Sequence, residues 1–280
     1  MRSTALAAAI SLIAASVPAA AQLIVGNDQS GTATIYNINV GTGVATPIYS
    51  GTGPEAKPWG MAYDVAGNML YWSNANNLFS SPLGPSLTPT NLGTMSFGGS
   101  GVNFVGLSFA NGRLYGTRNI ATEAVYEIDP TTRVATQVYV HPSTYDFGGI
   151  DHDAASGRLY GLSDTGGTGL YEINTAAQTV TLRAPYPGGE NDIDGLAVYN
   201  GRAYYVTDGP NTTQASFYVY DVASGLPMGT LPSPFTGSGT FSAATFAAPI
   251  PEPAPTVLAL MGGAVLAFSR RLRARRMLTT

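Results

Sequence analysis

The chain has 280 residues, of which only 11% are charged, alongside 34 Gly and 19 Pro. This excludes a protein of long solvent-exposed helices, which need Lys, Glu and Arg, and 44% hydrophobic content with 16 Tyr and 10 Phe excludes disorder. The formal charge of −4 understates the acidity of the body: once Arg2, the five arginines beyond Ser269 and Glu252 are set aside, seven basic residues face 16 acidic ones, about −9, which excludes nucleic acid as a partner.

In chain order, the first segment reads as a secretory signal peptide, residues 1–21. Met1-Arg2 gives a positive start, Ala5 to Val17 an apolar run, and Ala19-Ala20-Ala21 an A-x-A site that a signal peptidase would cut between Ala21 and Gln22. With no Cys, the fold must be held by packing and sheet hydrogen bonds alone.

Residues 22–248 are self-similar. A small residue, an apolar one, a small or polar one and a larger one recur as Gly60-Met61-Ala62-Tyr63, Gly106-Leu107-Ser108-Phe109, Gly149-Ile150-Asp151-His152, Gly195-Leu196-Ala197-Val198 and, in degenerate form, Ala243-Ala244-Thr245-Phe246. The copies start 46, 43, 46 and 48 residues apart. The first four lead through a turn, Asn111-Gly112 and Asn200-Gly201 among them, into a second strand such as Arg113-Leu114-Tyr115-Gly116. A third strand follows, such as Leu170-Tyr171-Glu172-Ile173-Asn174, then a fourth such as Thr179 to Arg183. One unit is split: Leu23 to Gly26, Ile35 to Asn39 and Val44 to Tyr49 supply strands two to four, and Ser242 to Phe246 the first. Joining them closes a ring, so the expected fold is all-β: a five-bladed β-propeller closed by N- and C-terminal strands.

Two histidines restrict acid–base chemistry. His141, before Pro142, is expected in an exposed loop. His152 takes the place of Tyr63, Phe109, Val198 and Phe246 and is expected to fill a packing position, with Asp153 a hairpin-turn residue like Asp64. Asp151 is the odd member, standing where other copies have Ala62, Ser108, Ala197 and Thr245. Propeller topology brings the loops between blades and those between strands two and three to one mouth. They contribute Asp146, Asp164, Asp192, Asp194 and Asp208 as candidate ligand-binding residues, with Asp28, Asn74, Arg118 and Asn119 nearby. Carboxylates and amides there would hydrogen-bond a sugar or take Ca²⁺, although Asp and Asn also end strands simply because they make turns. No spacing matches an EF-hand, a P-loop, a zinc motif or a G-x-S-x-G elbow, and no catalytic residue is assigned. Asn211-Thr212-Thr213 is a sequon by pattern only.

A Pro-rich stem spans residues 249–255, and residues 256–280 are expected to form a transmembrane helix with an Arg-rich tail. The apolar run Thr256 to Phe268 would be about 20 Å long as a helix, short of the roughly 30 Å hydrocarbon core. Flanking residues must help, with Arg270, Arg271, Arg273, Arg275 and Arg276 at the cytoplasmic headgroups of the inner membrane. Pro251-Glu252-Pro253, a short hydrophobic span and an Arg-rich terminus resemble, in that order, the PEP-CTERM sorting signal of Gram-negative bacteria. The resemblance covers about the last 30 residues and implies cleavage by an exosortase in organisms that make exopolysaccharide, followed by cell-surface or extracellular location. It implies nothing about the body. The expectation is an envelope or matrix protein whose propeller binds a glycan, exopolysaccharide or surface protein without catalysis. The alternatives are an extracellular glycosidase-like hydrolase using acids at the central mouth, and a structural matrix component with no small ligand.

Overall fold

Runs such as Gly169–Asn174, with adjacent apolar residues rather than strict alternation, become strands because the sheets they enter are covered on both faces. The computed structural model describes residues 22–141, 144–207, 216–234 and 239–247. The signal segment up to Ala21, Asp208, the sequon at Asn211, Pro251-Glu252-Pro253 and the hydrophobic and Arg-rich tail lie outside the described residues. No described helix is long and apolar enough to cross a membrane.

Five four-stranded antiparallel sheets form the blades. The composite blade runs, from the axis outwards, Ala243–Ala247, Gln22–Gly26, Ala33–Asn39 and Ala45–Gly51. The second blade is Gly60–Asp64, Met69–Asn74, Asn77–Pro82 and Thr90–Thr94. The third is Gly106–Ala110, Arg113–Thr117, Ala124–Ile128 and Ala135–Val140. The fourth is Phe147–Asp153, Arg158–Ser163, Gly169–Asn174 and Thr179–Pro185, and the fifth is Gly195–Tyr199, Arg202–Val206, Ser216–Asp221 and Pro227–Pro232. The split unit is therefore real: Gln22 pairs with Ala247 and Gly26 with Ala243, an antiparallel ladder between the two ends of the body. Innermost strands abut one another from the second blade round to the composite blade and back to the second, a closed five-bladed propeller.

The core lies between the blades. Each of five buried apolar clusters draws on two neighbouring sheets, for example Trp72 and Phe79 of the second blade with Ile24 and Ile35 of the composite one. One contact recurs around the ring. The third residue of a second strand packs on the fourth residue of the next blade's motif. Tyr71 stacks on Phe109 at 5.8 Å, Tyr115 meets His152 at 4.8 Å and Tyr204 meets Phe246 at 5.2 Å. Tyr160 with Val198, and Ile24 with Tyr63, share buried clusters at the other two interfaces. His152 thus occupies an inter-blade packing position, as its alignment implies.

The motif glycines exist because innermost strands crowd at the axis. A side chain at Gly149 would start 2.1 Å from the Asp194 carbonyl oxygen, and one at Gly60 2.7 Å from Val105 O. Asn111 and Gly112 have φ of 52° and 75°, and Asn200 and Gly201 51° and 74°. Positive φ at both central positions is the twist-matched two-residue hairpin that Asn-Gly favours. Two features are not evident in the repeat. In all five blades the register slips by a bulge between the third and outermost strands, for example at Val125/Tyr126 and Leu170/Tyr171. A small hairpin, Ser96–Phe97 with Ser100–Gly101, also precedes the third blade. Such bulges increase twist and leave the outer edges poor templates for further pairing.

Candidate functional site

The residue before each motif copy, Trp59, Val105, Gly148, Asp194 and Ser242, comes from a different blade, yet all five line one cavity of about 580 Å³. Below it, the next ring of side chains, Met61, Leu107, Ile150, Leu196 and Ala244, is buried and leaves no room for a water molecule. The mouth is therefore a blind funnel floored by aliphatic groups.

Of the candidate residues, Asp146, Asp164, Asp192 and Asp194 are brought together in this funnel, joined by Asp28 and Asn119. Asp208 lies outside the described residues. Asn74 points elsewhere and donates to Lys57 O at 2.7 Å, while Arg118 lines an adjacent hollow. Oxygens of Asp164, Asp192 and Asp194 lie within 4.8 Å of one another. The acids gather on one side, from the fourth, fifth and composite blades. The second and third blades contribute Trp59, Val105 and Asn119. Trp59, Asn191, Thr240 and Ser242 are lining residues that sequence reasoning missed. The signal for Trp59 and Ser242 was available, since both immediately precede a motif copy.

Local bonds hold the acids in place. Asp164 Oδ1 accepts from Tyr186 Oη at 2.7 Å and from Ile193 N at 3.4 Å. Asp28 Oδ1 accepts from Thr240 Oγ1 at 2.7 Å and Thr240 N at 3.0 Å, a clasp across the ring closure. Burial, reinforced by the other carboxylates, raises the Asp194 pKa to about 6. Asp164 rises to about 7, again chiefly through burial, with the Tyr186 hydrogen bond pulling the other way. Burial and Asp192 raise Asp146 as well. Among the described residues no basic side chain lines the funnel to offset this repulsion.

A second polar cluster lies at the axis. Ser108 Oγ is 2.7 Å from His152 Nδ1, and Asp151 accepts from Ser108 Oγ at 3.3 Å, His152 N at 2.9 Å and Val198 N at 2.8 Å. Ser108 is fully buried, and the Asp151 carboxylate bonds the serine and the backbone rather than the imidazole. The group therefore offers no exposed nucleophile with an oriented base; it ties three successive innermost strands together. Asp153 does more than shape its hairpin, because its Oδ1 also accepts from Asn200 N of the fifth blade at 2.9 Å. The expected exposure of His141 is wrong. It is 2% exposed, caged by Tyr139 and Phe147 with ring centroids 4.6 Å away, and burial lowers its pKa to about 4. The hydrogen bond from His141 N to Glu123 O draws it under the blade as a continuation of the outer ladder, which a following proline does not reveal.

No protein-family model matches the sequence, and no curated protein matches it. Among solved structures, a chain in the crystal structure of a nidogen/laminin complex is similar, with 17% identity and a TM-score of 0.52 over 80% of this chain and 84% of that one. Kuenenia stuttgartiensis hydrazine synthase aligns at 13% identity and a TM-score of 0.44, over 64% and 49%. The computationally designed Ika8 protein aligns at 12% and 0.36, over 79% and 61%. At these identities the first likeness shows the fold alone and the other two carry no weight: the chain is an all-β, five-bladed propeller.

Proposed function

We propose that this is an exported envelope or matrix protein, sorted by its PEP-CTERM-like tail, whose propeller binds a partner without catalysis at the funnel mouth. The observation that carries the binding half is convergence: all five blades deliver a residue to one blind cavity, and carboxylates and amides crowd its rim. The fold resembles a chain found in a nidogen/laminin complex, and a propeller used for association fits that likeness. Export and sorting rest on the terminal sequences, with signal peptidase, exosortase and the inner membrane as processing partners and exopolysaccharide or surface proteins as ligands.

The hydrolase reading has one observation in its favour. Asp164, Asp192 and Asp194 are clustered rather than scattered, and the tyrosines lie between the blades rather than around the mouth. Among the described residues, however, the second and third blades line the funnel with Trp59, Val105 and Asn119, groups that suit recognition rather than proton transfer. The test is retention of the full chain on immobilised polysaccharide and surface protein from a native envelope, with and without Ca²⁺, alongside a reducing-end assay. Retention without new reducing ends, lost in the Asp192→Asn/Asp194→Asn double variant, is the expected result. Release of reducing ends would establish the hydrolase instead, and retention unchanged by the double variant would move binding away from the mouth.

A further inference from the structure

Beside the acidic funnel lies a second hollow of about 450 Å³, lined by Trp59, Val102, Asn103, Val105, Arg118 and Asn119. It shares Trp59, Val105 and Asn119 with the funnel, so the mouth is continuous but has two characters. One side presents carboxylate acceptors. The other presents donors around an indole ring.

Packing does not account for these donors. The chain has two tryptophans, and Trp72 is fully buried, stacked on Phe79 and donating its indole N–H to Glu55 O at 2.9 Å. Trp59 belongs to none of the five inter-blade clusters and is only half-buried. Among the described residues it has neither a stacking partner nor an acceptor for its N–H, and the exposed side chains of Asn103 and Asn119 make no hydrogen bond. Arg118 lies over the Tyr126 ring at 5.7 Å. Among the described residues it has no carboxylate within ion-pair distance, as is also true of Arg133 and Arg202, and its buried Nε has no acceptor. An unpaired arginine in an acidic body, an unstacked indole and two free amides thus converge on one hollow.

We propose that this half of the mouth is a subsite for a neutral glycan: a pyranose ring stacks on Trp59, and its hydroxyls accept from Arg118, Asn103 and Asn119. The inference rests on the mouth being the binding face and adds the ligand class. A sugar ring has an apolar C–H face that an indole covers, and each hydroxyl both donates and accepts. A neutral glycan crossing the mouth can therefore accept on the Trp59 side and donate to carboxylates such as Asp192 and Asp194 on the other. A carboxylated sugar would meet the repulsion of those acids, and a basic peptide, though drawn to them, has no flat apolar C–H face to cover the indole.

Tryptophan emission reads this site directly, because Trp72 is shielded and Trp59 is in the mouth. The full chain, in a detergent without a sugar headgroup, would be titrated with neutral oligosaccharides of β-1,3-, β-1,4- and α-1,4-linked glucose and galactose, a polyuronate and a basic peptide. A neutral oligosaccharide should shift the emission to the blue and protect it from acrylamide. Calorimetric affinity should fall at least about tenfold in Trp59→Ala, fall less in Asn119→Ala, and persist in Trp59→Phe, which keeps an aromatic face. Binding that leaves the emission unchanged and survives Trp59→Ala would overturn the subsite while leaving a binding propeller. Preference for the polyuronate or the peptide would overturn the ligand class. Silence from every probe would overturn the subsite and count against the binding reading as well.

Discussion

Asp164 and Asp194 keep their protons in the folded chain to about pH 7 and 6, well above the ordinary aspartate value of 3.8, chiefly because burial penalises the charge. The unfolded chain loses those protons first. Their contribution to stability is therefore complete below about pH 3.8 and is lost as pH rises through 6 and 7. Glu123 acts in the same direction over a wider window: burial raises it to about 9, while its Oε2 accepts from Phe147 N at 3.1 Å. His141 and His152 act oppositely, since burial lowers both to about 4 and protonation below the ordinary 6.5 favours the unfolded chain. The informative quantity is thus a difference. Replacing Asp164 and Asp194 by Asn preserves an acceptor for Tyr186 and removes the charges. The Tm of that variant relative to wild type should rise between pH 5 and pH 7.5. A difference independent of pH would show that neither carboxyl is perturbed as described.

The composite blade is the element on which closure depends. Its innermost strand, Ala243–Ala247, is buried along its whole length and pairs with Gln22–Gly26. Phe241 just before it and Phe246 within it pack in the cluster shared with the fifth blade. Removing residues 239–248 would expose an edge and two apolar blade faces. At about 1.5–3 kcal/mol for each buried phenylalanine, the loss is of order 5 kcal/mol before the ladder is considered. The Tm should fall by at least about 10 °C, read by circular dichroism. An unchanged melting curve would mean that the ring does not need this strand.

For the whole molecule, the mouth is lopsided: acids gather on the fourth, fifth and composite blades, and Trp59, Asn119 and Arg118 on the second and third. A fivefold repeat thereby yields an asymmetric mouth, because the loops diverge while the strands between them stay alike. The proposed route to the cell surface makes a separate prediction. Protein from a native host with an exosortase should lack the residues beyond Pro251-Glu252-Pro253 by intact mass, and Glu252→Ala/Pro253→Ala should leave the tail attached in the membrane fraction. Recovery of mature chains ending at Thr280 would reduce the tail to a simple anchor.

What the sequence by itself determined is the part that repeats. The G-x-x-x motif at near-constant spacing, with Ala243 in place of glycine in its last copy, the Asn-Gly turns and the split unit specify blade number and ring closure, because crowding at an axis and burial on both faces impose small and apolar residues in the same order five times. The sequence also placed Asp146, Asp164, Asp192 and Asp194 at one mouth, since loop direction follows from strand order. Only the tertiary structure decided what those loops make together. The clustering of Asp164, Asp192 and Asp194, the burial of His141, the strand-to-strand ties of Asp151 and the meeting of Trp59 and Arg118 at one hollow depend on contacts between residues tens of positions apart. Strand periodicity encodes which way a side chain faces; it does not encode how far a loop from the next blade reaches across the axis, and that distance sets charge and burial at the mouth.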